Sequence, residues 1–454
     1  MIRTGPQSLW PNPDALGALT DLYQITMMAG YHAAGLEQSR AKFELFVRRL
    51  PKGRSYLVFA GLEQAVADLT NLRFSRQQVD VIRTWPVMAK VDPDWLDALP
   101  DYRFRGDLWS APEGTIVFAG EPIVRVEAAL PEAQWIETFL IASLAYPTLV
   151  ASKAARIVEA ARGRPLFDYG TRRGHGPLAG LLTARASYLA GFDGTSNVEA
   201  AIRLGIPISG TMAHSWVESF ESEAQAFAAF ARVFPGATLL VDTYDVAKGV
   251  AHAAAVEPAV GAIRLDSGDL LAESIQARQI LDAAGRRSIK IVTSGDLDEW
   301  EIDRLVQAGA PIDGFGVGTE LVTSRDAPAL SMVYKLVELD GTGRIKLSPG
   351  KKTYPLGKQV HRQSGPDGRF LLDRVTRADE SAEGETLLKQ VVRRGQPVEP
   401  WPSLGEVREH CKRQREALPD GLRGVDANGI YPLEYSDALE AEADRLGVRQ
   451  AKSS

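Results

Sequence analysis

At 454 residues the chain is longer than one hydrophobic core usually supports, so two domains are expected. Hydrophobic residues make up 45% and charged residues 24%, values of an ordinary globular protein that exclude disorder in bulk. The net charge of −6, with no basic block, argues against a nucleic-acid partner, and the single cysteine, Cys411, excludes an intramolecular disulfide and any multi-cysteine metal cluster.

The N-terminal MIRTGPQSLWPNP has neither the basic start nor the apolar core of a signal peptide, and reads as a loose arm to residue 17. No stretch reaches the ~18 uninterrupted apolar residues of a membrane helix, so a cytoplasmic protein with no membrane partner is expected. LTDLYQITMMAGYHAAG (19–35) has helical spacing, with Thr20 or Asp21 as N-cap and Gly35 as stop. AKFELFVRRL (41–50) alternates as a strand, a helix follows around 61–72, and a polar, Trp-dotted stretch runs to about residue 100. Residues 104–130 carry short strands between Pro-Glu-Gly and Gly-Glu-Pro turns. A long helical segment then spans about 132–162, with an interruption expected near Pro147.

Beyond Gly163 the rhythm changes to short apolar runs, most of them leading into helical stretches. The runs are PLFDYG (165–170), IPISGTMAH (206–214), TLLVDTYD (238–245), AIRLDSGD (262–269), IKIVTSGD (289–296) and IDGFGVG (312–318). Such runs suit parallel strands buried on both faces, and six βα units favour closure into a barrel over an open sheet. After Tyr334 the text is β-like again (VYKLVEL, RIKLS, KQVHR, RFLLDRV), and a last helix at about 403–417 precedes a polar tail. The expected organisation is an N-terminal arm and α+β part (1–150), an α/β barrel (151–335) and a C-terminal segment (336–454) that packs back on the first.

In a βα barrel, reacting groups collect on the loops that follow the strands. Those loops carry Asp168, Tyr169, Arg172 and Arg173; Ser209, Thr211 and His214; Asp242 and Asp245; Arg264, Asp266 and Asp269; Ser294, Gly295 and Asp296; and Gly316, Gly318 and Thr319. Singly, each has a plainer reading. Arg172 and Arg173 can pair with surface carboxylates, His214 can be a hydrogen-bonded core histidine, and Asp-Ser-Gly-Asp (266–269) can be a helix cap and turn. Caps and turns alone, however, do not call for Arg and His on successive strand exits. GFGVGT (314–319) suits a phosphate, Asp266 suits ribose hydroxyls or a Mg²⁺ shell, and Arg264 and Arg172 suit a carboxylate or phosphate. Tyr23 and Tyr169 offer faces for a flat ring. The inventory describes a site for a phosphorylated sugar and a small anionic aromatic.

LTDLYQITM (19–27), FDYGTRRGHGP (167–177), GFDGTSNVEA (191–200), ISGTMAHSW (208–216), IRLDSGDL (263–270), TSGDLDE (293–299) and GFGVGTELVTS (314–324) closely resemble the nicotinate phosphoribosyltransferase family. The resemblance implies an irregular α/β barrel of the type II phosphoribosyltransferase kind, with a smaller α+β domain built from both chain ends. It implies ATP-dependent transfer of a phosphoribosyl group from phosphoribosyl pyrophosphate to nicotinate, with Mg²⁺, in a homodimer with shared active sites. His214 matches the family's phosphorylated histidine, and Tyr23 the aromatic residue that a partner subunit stacks over nicotinate against Tyr169. Arg264 and Thr211 match nicotinate contacts, with Arg172 in the same cleft. Gly316, Gly318 and Thr319 match the 5′-phosphate loop, and Asp266, Gly295 and Asp296 lie near the ribose. Which carboxylates touch Mg²⁺ is left open. The rivals are a nicotinamide- or quinolinate-using enzyme of the same fold, a non-catalytic metabolite-binding barrel, and an aldolase-type barrel, for which no run ends in the required Lys.

Overall fold

A computed structural model describes residues 9–346 and 353–451. Its centre is a six-stranded, wholly parallel sheet in the order Gly194–Thr195, Leu166–Asp168, Gly314–Val317, Lys290–Thr293, Ala262–Leu265, Thr238–Leu240. Helices such as Pro177–Ala190, Val246–Ala254, Leu270–Ala283 and Glu299–Gln307 connect the strands, the expected βα pattern. Five of the six runs read from the sequence supply a strand each. The exception is IPISGTMAH, where only Ile208 bridges, to Thr195, and the corresponding strand is Gly194–Thr195. Pro207 has no N–H to donate to a ladder, and Ile208 is exposed, unlike a residue of a doubly covered strand. Among the described residues the two outer strands do not pair with each other, so the sheet is a half-barrel and not a hydrogen-bonded closed cylinder.

A second, seven-stranded antiparallel sheet draws on both ends of the chain. Its order is Thr342–Gly343, Met332–Leu339, Arg40–Val47, Pro122–Ala129, Asp107–Ser110, Lys389–Arg393, Gln396–Pro397. Leu45 faces Tyr334 on one side and Val124 on the other, and this apolar face joins the N-terminal helices in one core. A four-stranded sheet in the order Glu385–Thr386, Lys358–Ser364, Phe370–Arg377, Leu433–Tyr435 completes the C-terminal part.

Several local expectations change. The Trp-dotted stretch is helical at Arg76–Arg83 and Pro93–Ala98, because Ser75 and Gln78 form a capping box and Asp92 caps a helix with Pro at its first position. The long helix does not break at Pro147 but is continuous over Glu137–Ala161, after a separate turn at Leu130–Trp135. Pro147 leaves the Ser143 carbonyl without its usual partner, and that carbonyl abuts Gly61, where a Cβ would lie 2.7 Å from it. Leu130–Ala161 is apolar and long enough to cross a membrane, but 61% of its apolar window is buried in the fold, as in a core helix. The polar tail contains the helix Asp437–Ala451, which buries Leu439, Ala443 and Leu446 at helical spacing. RIKLS forms no strand over 344–346, and its remainder lies outside the described residues.

Candidate active site

Parallel strands point their C-terminal ends to one side, so the loops leaving them meet there. A cavity of about 340 Å³ opens at that mouth, lined among others by Tyr169, Arg172, Arg173, Ser196, Thr211, Met212, His214, Arg264, Asp266, Gly295, Asp296, Gly318 and Thr319. Ten of the twelve residues proposed from sequence line it, contributed by loops far apart in the chain. Gly316 and Tyr23 do not. Ser196 and Met212 are lining residues that sequence reasoning missed; both sit inside quoted motifs, but neither carries a charge or ring that would single it out.

The two motif strings FDYGT and GTSN interlock at the base. Asp168 is fully buried and accepts from the Gly170 N–H (2.8 Å) and the Thr195 hydroxyl (2.7 Å). Asn197 caps the next helix through the Ala200 N–H (2.9 Å) and donates to the Thr171 hydroxyl (3.1 Å), binding the two turns into one unit. Burial pushes the Asp168 carboxyl up to about 6, with its two donors opposing the rise. The unfolded carboxyl therefore ionises first, and the stability owed to this group falls as pH rises from its ordinary 3.8 toward 6. Relative to an Asp168→Asn variant, the native chain is expected to lose about 1 kcal/mol of stability between pH 5 and 7. Urea unfolding of both proteins at the two pH values checks the sign; a relative gain would mean that the donors outweigh burial.

Gly316, outside the cavity lining, packs against a ring of the site. A Cβ there would stand 2.3 Å from Tyr169 Cε2 and 2.4 Å from Cδ2, so the Tyr169 ring is seated on a bare strand backbone. The Tyr169 N–H bonds the Val317 carbonyl (2.8 Å), and the Arg264 guanidinium lies 5.9 Å above the ring. Gly316→Ala is expected to displace the ring and raise KM for the aromatic substrate at least tenfold, while the fold survives; an unchanged KM would show that the seat is not needed.

Arg264 donates to the Thr211 hydroxyl and stands 3.5 Å from Asp266 Oδ1, and its Nε is buried without a partner. A largely buried guanidinium with an unmet donor at a cavity wall is suited to an anionic ligand. Asp266 is held by the Ser294 hydroxyl, while its own N–H donates to Asp242 Oδ2 (3.1 Å), which also accepts from the Ser267 hydroxyl (2.6 Å). Gly295 has φ +91°, and a Cβ there would fall 2.2 Å from the Asp266 carbonyl, so only glycine lets these two loops touch. The next residue, Asp296, is itself left-handed at φ +45°. His214 begins the short helix His214–Glu218; its Nδ1 is 3.1 Å from the Thr243 hydroxyl and its Nε2 4.0 Å from Asp266 Oδ2. On the opposite wall Gly318 precedes Thr319 at the start of the turn Thr319–Val322.

Tyr23 projects from the helix Leu22–Ala33 in the N-terminal part and is 46% exposed, beside exposed Leu19 and Leu22. Within one chain it is a surface residue, not part of the cavity.

Three family models match the chain: the nicotinate phosphoribosyltransferase N-terminal domain over residues 18–145, the nicotinate phosphoribosyltransferase family over 165–363, and its C-terminal domain over 380–441. Nicotinate phosphoribosyltransferase pncB2 of Mycobacterium tuberculosis (strain ATCC 25618 / H37Rv) is 46% identical over 440 residues, covering 95% of this chain and 94% of that protein. The nicotinate phosphoribosyltransferase of Homo sapiens is 32% identical over 533 residues, covering 97% and 99%. The crystal structure of human nicotinic acid phosphoribosyltransferase superposes with a TM-score of 0.83 at 30% identity, covering 94% of this chain and all of that one. A nicotinate-nucleotide pyrophosphorylase from Pyrococcus furiosus shares the fold at a TM-score of 0.76 and 24% identity. With its motifs gathered on one cavity and relatives matched along nearly their whole length, the chain belongs to the nicotinate phosphoribosyltransferase family.

Proposed function

We propose that this protein transfers the phosphoribosyl group of 5-phosphoribosyl 1-pyrophosphate to nicotinate, giving nicotinate mononucleotide and pyrophosphate for NAD salvage, coupled to ATP through phosphorylation of His214. The observation that carries the reading is the single cavity in which Arg264 and Tyr169, Asp266, Gly318–Thr319 and His214 face one another. Nicotinate lies against Tyr169 with its carboxylate toward Arg264 and Thr211, and Arg172 adds positive charge to the same cleft. The 5′-phosphate takes the Gly318–Thr319 turn, and the ribose lies by Asp266, Gly295 and Asp296.

The pyridine nitrogen carries a free lone pair at neutral pH, so bond formation to C1 of the ribose needs no general base. As the C1–O bond to pyrophosphate breaks, positive charge develops on the sugar, and Asp266 on this wall stabilises it. Alignment of two bound reactants supplies much of the remaining acceleration. Among the described residues no group of three His, Cys, Asp or Glu forms a metal cage. Asp266 and Asp296 are the carboxylates on this wall that would hold a Mg²⁺ brought in with the substrate phosphates, and such an ion would supply charge neutralisation for the pyrophosphate.

In the coupled step an imidazole nitrogen of His214 attacks the γ-phosphorus of ATP, the P–O bond to ADP breaks, and the N–P bond later yields phosphate to water. The added negative charge reorders the Arg and Asp contacts around the site in each cycle. Exposed Tyr23, Leu19 and Leu22 support a homodimer in which Tyr23 of one subunit completes the ring-binding site of the other. The half-barrel is read as the wall of the irregular barrel of this family. Divisions near residues 150 and 335 separate it from the part built by both chain ends, and the cytoplasm is the proposed compartment.

Product analysis with nicotinate, phosphoribosyl pyrophosphate and Mg²⁺, with and without ATP, tests the whole. Nicotinate mononucleotide is expected in higher yield with ATP, and parallel reactions with nicotinamide and quinolinate are expected to give none. Arg264→Ala is expected to raise KM for nicotinate by about thirty-fold or more, as the loss of a charge-assisted contact implies, and KM for the ribosyl donor much less. An equal rise in both would refute the carboxylate assignment.

A further inference from the structure

His214 begins a helix of five residues, and the only hydrogen bond to its ring among the described residues is the 3.1 Å contact between Nδ1 and the Thr243 hydroxyl. Its other polar neighbour, Asp266 Oδ2, stands 4.0 Å from Nε2, too far for a hydrogen bond. Thr243 itself is held from both sides. On one side Asp242 Oδ2 accepts from the Asp266 N–H (3.1 Å) and the Ser267 hydroxyl (2.6 Å), tying this loop to the loop of the neighbouring strand. On the other, Asp245 caps the helix Val246–Ala254 by accepting from the Lys248 N–H (2.9 Å). The sequence Asp-Thr-Tyr-Asp (242–245) thus spends both of its carboxylates on fixing the backbone between them.

We infer that Thr243 is the positioning residue for His214: its hydroxyl fixes the rotation of an imidazole that no other hydrogen bond among the described residues holds. The inference rests on the reading of His214 as a phosphoryl acceptor and adds what makes that acceptor competent. Attack on phosphorus requires the ring to be aligned at close range, and a half-exposed side chain without an anchor samples other rotamers. A hydroxyl suits this position because it can donate to a bare nitrogen or accept from a protonated one. It therefore follows the ring through both states of a phosphorylation cycle, which an ionised carboxylate, an acceptor only, could not.

The test compares the full-length enzyme with Thr243→Val, which keeps the branched shape without the hydroxyl, and Thr243→Ser, which keeps the hydroxyl. Two readouts are taken: acid-labile incorporation of label from γ-labelled ATP, and the ¹⁵N resonances of the His214 ring, assigned by their disappearance in His214→Asn. Hydrogen-bond partners that orient metal-ligating histidines typically contribute tenfold to a hundredfold, and by the same orienting effect Thr243→Val is expected to slow incorporation by about that factor. It is also expected to shift the Nδ1 resonance, and Thr243→Ser is expected to restore both. Unchanged resonances in Thr243→Val, or a loss that Thr243→Ser does not rescue, would overturn the role of Thr243. If the native enzyme takes up no label while the resonance shift and its rescue are seen, the phosphoryl-acceptor reading fails and the positioning contact stands.

Discussion

His214→Asn is expected to reduce incorporation of label from γ-labelled ATP to background and to abolish nicotinate-stimulated ATP hydrolysis, a loss of at least a hundredfold in each. The imidazole lines the same cavity as the Gly318–Thr319 turn, with 41% of its side chain exposed, so a nucleotide phosphate can reach it. The other side chains lining that cavity are Arg, Asp, Tyr, Ser, Thr, Met and Ala, none of which matches an imidazole as a phosphoryl nucleophile. Asparagine keeps the approximate size and a hydrogen-bonding end toward Thr243 but has no nucleophilic lone pair. Transfer without ATP is expected to persist at a reduced rate, because the lone pair of nicotinate and the Asp266 wall are untouched. Retention of label by the variant would take His214 out of the coupled step altogether.

The largest structural effect is expected at residues that do not line that cavity. Lys153 and Glu299 have fully buried side chains and pair at 2.5 Å, while Arg156 Nε meets the other Glu299 oxygen at 2.8 Å. Lys153 also reaches Asp326 at 3.0 Å, and Arg54, likewise buried, holds the same Asp326 at 3.1 Å and the Ser324 hydroxyl at 2.7 Å. The Trp300 ring faces Lys153 and Arg156, with centroid distances of 5.1 and 5.3 Å. This network joins the helix Glu137–Ala161, the helix Glu299–Gln307 and the chain just beyond the last strand of the parallel sheet.

Glu299→Ala would leave Lys153 with only Asp326 and strip Arg156 of its carboxylate in a site with little water. Breaking a buried pair in this way costs about 3–5 kcal/mol, because the surviving charges are uncompensated. The expected readout is a matching fall in urea-unfolding stability, with a smaller loss when Lys153→Met and Glu299→Leu are combined, since no buried charge of that pair then remains. A loss below about 1 kcal/mol for Glu299→Ala would show that water reaches the network and screens it.

The motif strings read in order along the chain carried most of the site, because chemistry on a βα scaffold is confined to strand exits and each exit here has a distinctive residue set. Ten proposed residues share one cavity on that account. The packing of Gly316 was not legible: a glycine in a Gly-rich turn looks the same whether or not it also makes room for a ring, and only the position of Tyr169 shows that it does. The importance of Thr243 was equally hidden, since His214 lies 29 residues away and nothing local pairs them.

Apolar periodicity and turn residues, both local properties, determined that this chain forms βα units between two β-rich ends, and residue chemistry at the strand exits determined that a phosphorylated sugar and a small anionic aromatic are its ligands. Long-range packing decided the rest. It joined Arg40–Val47 to Met332–Leu339 in one sheet, set Gly61 against the Ser143 carbonyl in a helix that runs on through Pro147, and folded the polar tail into a helix over the C-terminal sheet. Those outcomes depend on which surfaces meet across hundreds of residues, and local sequence contains no term for that.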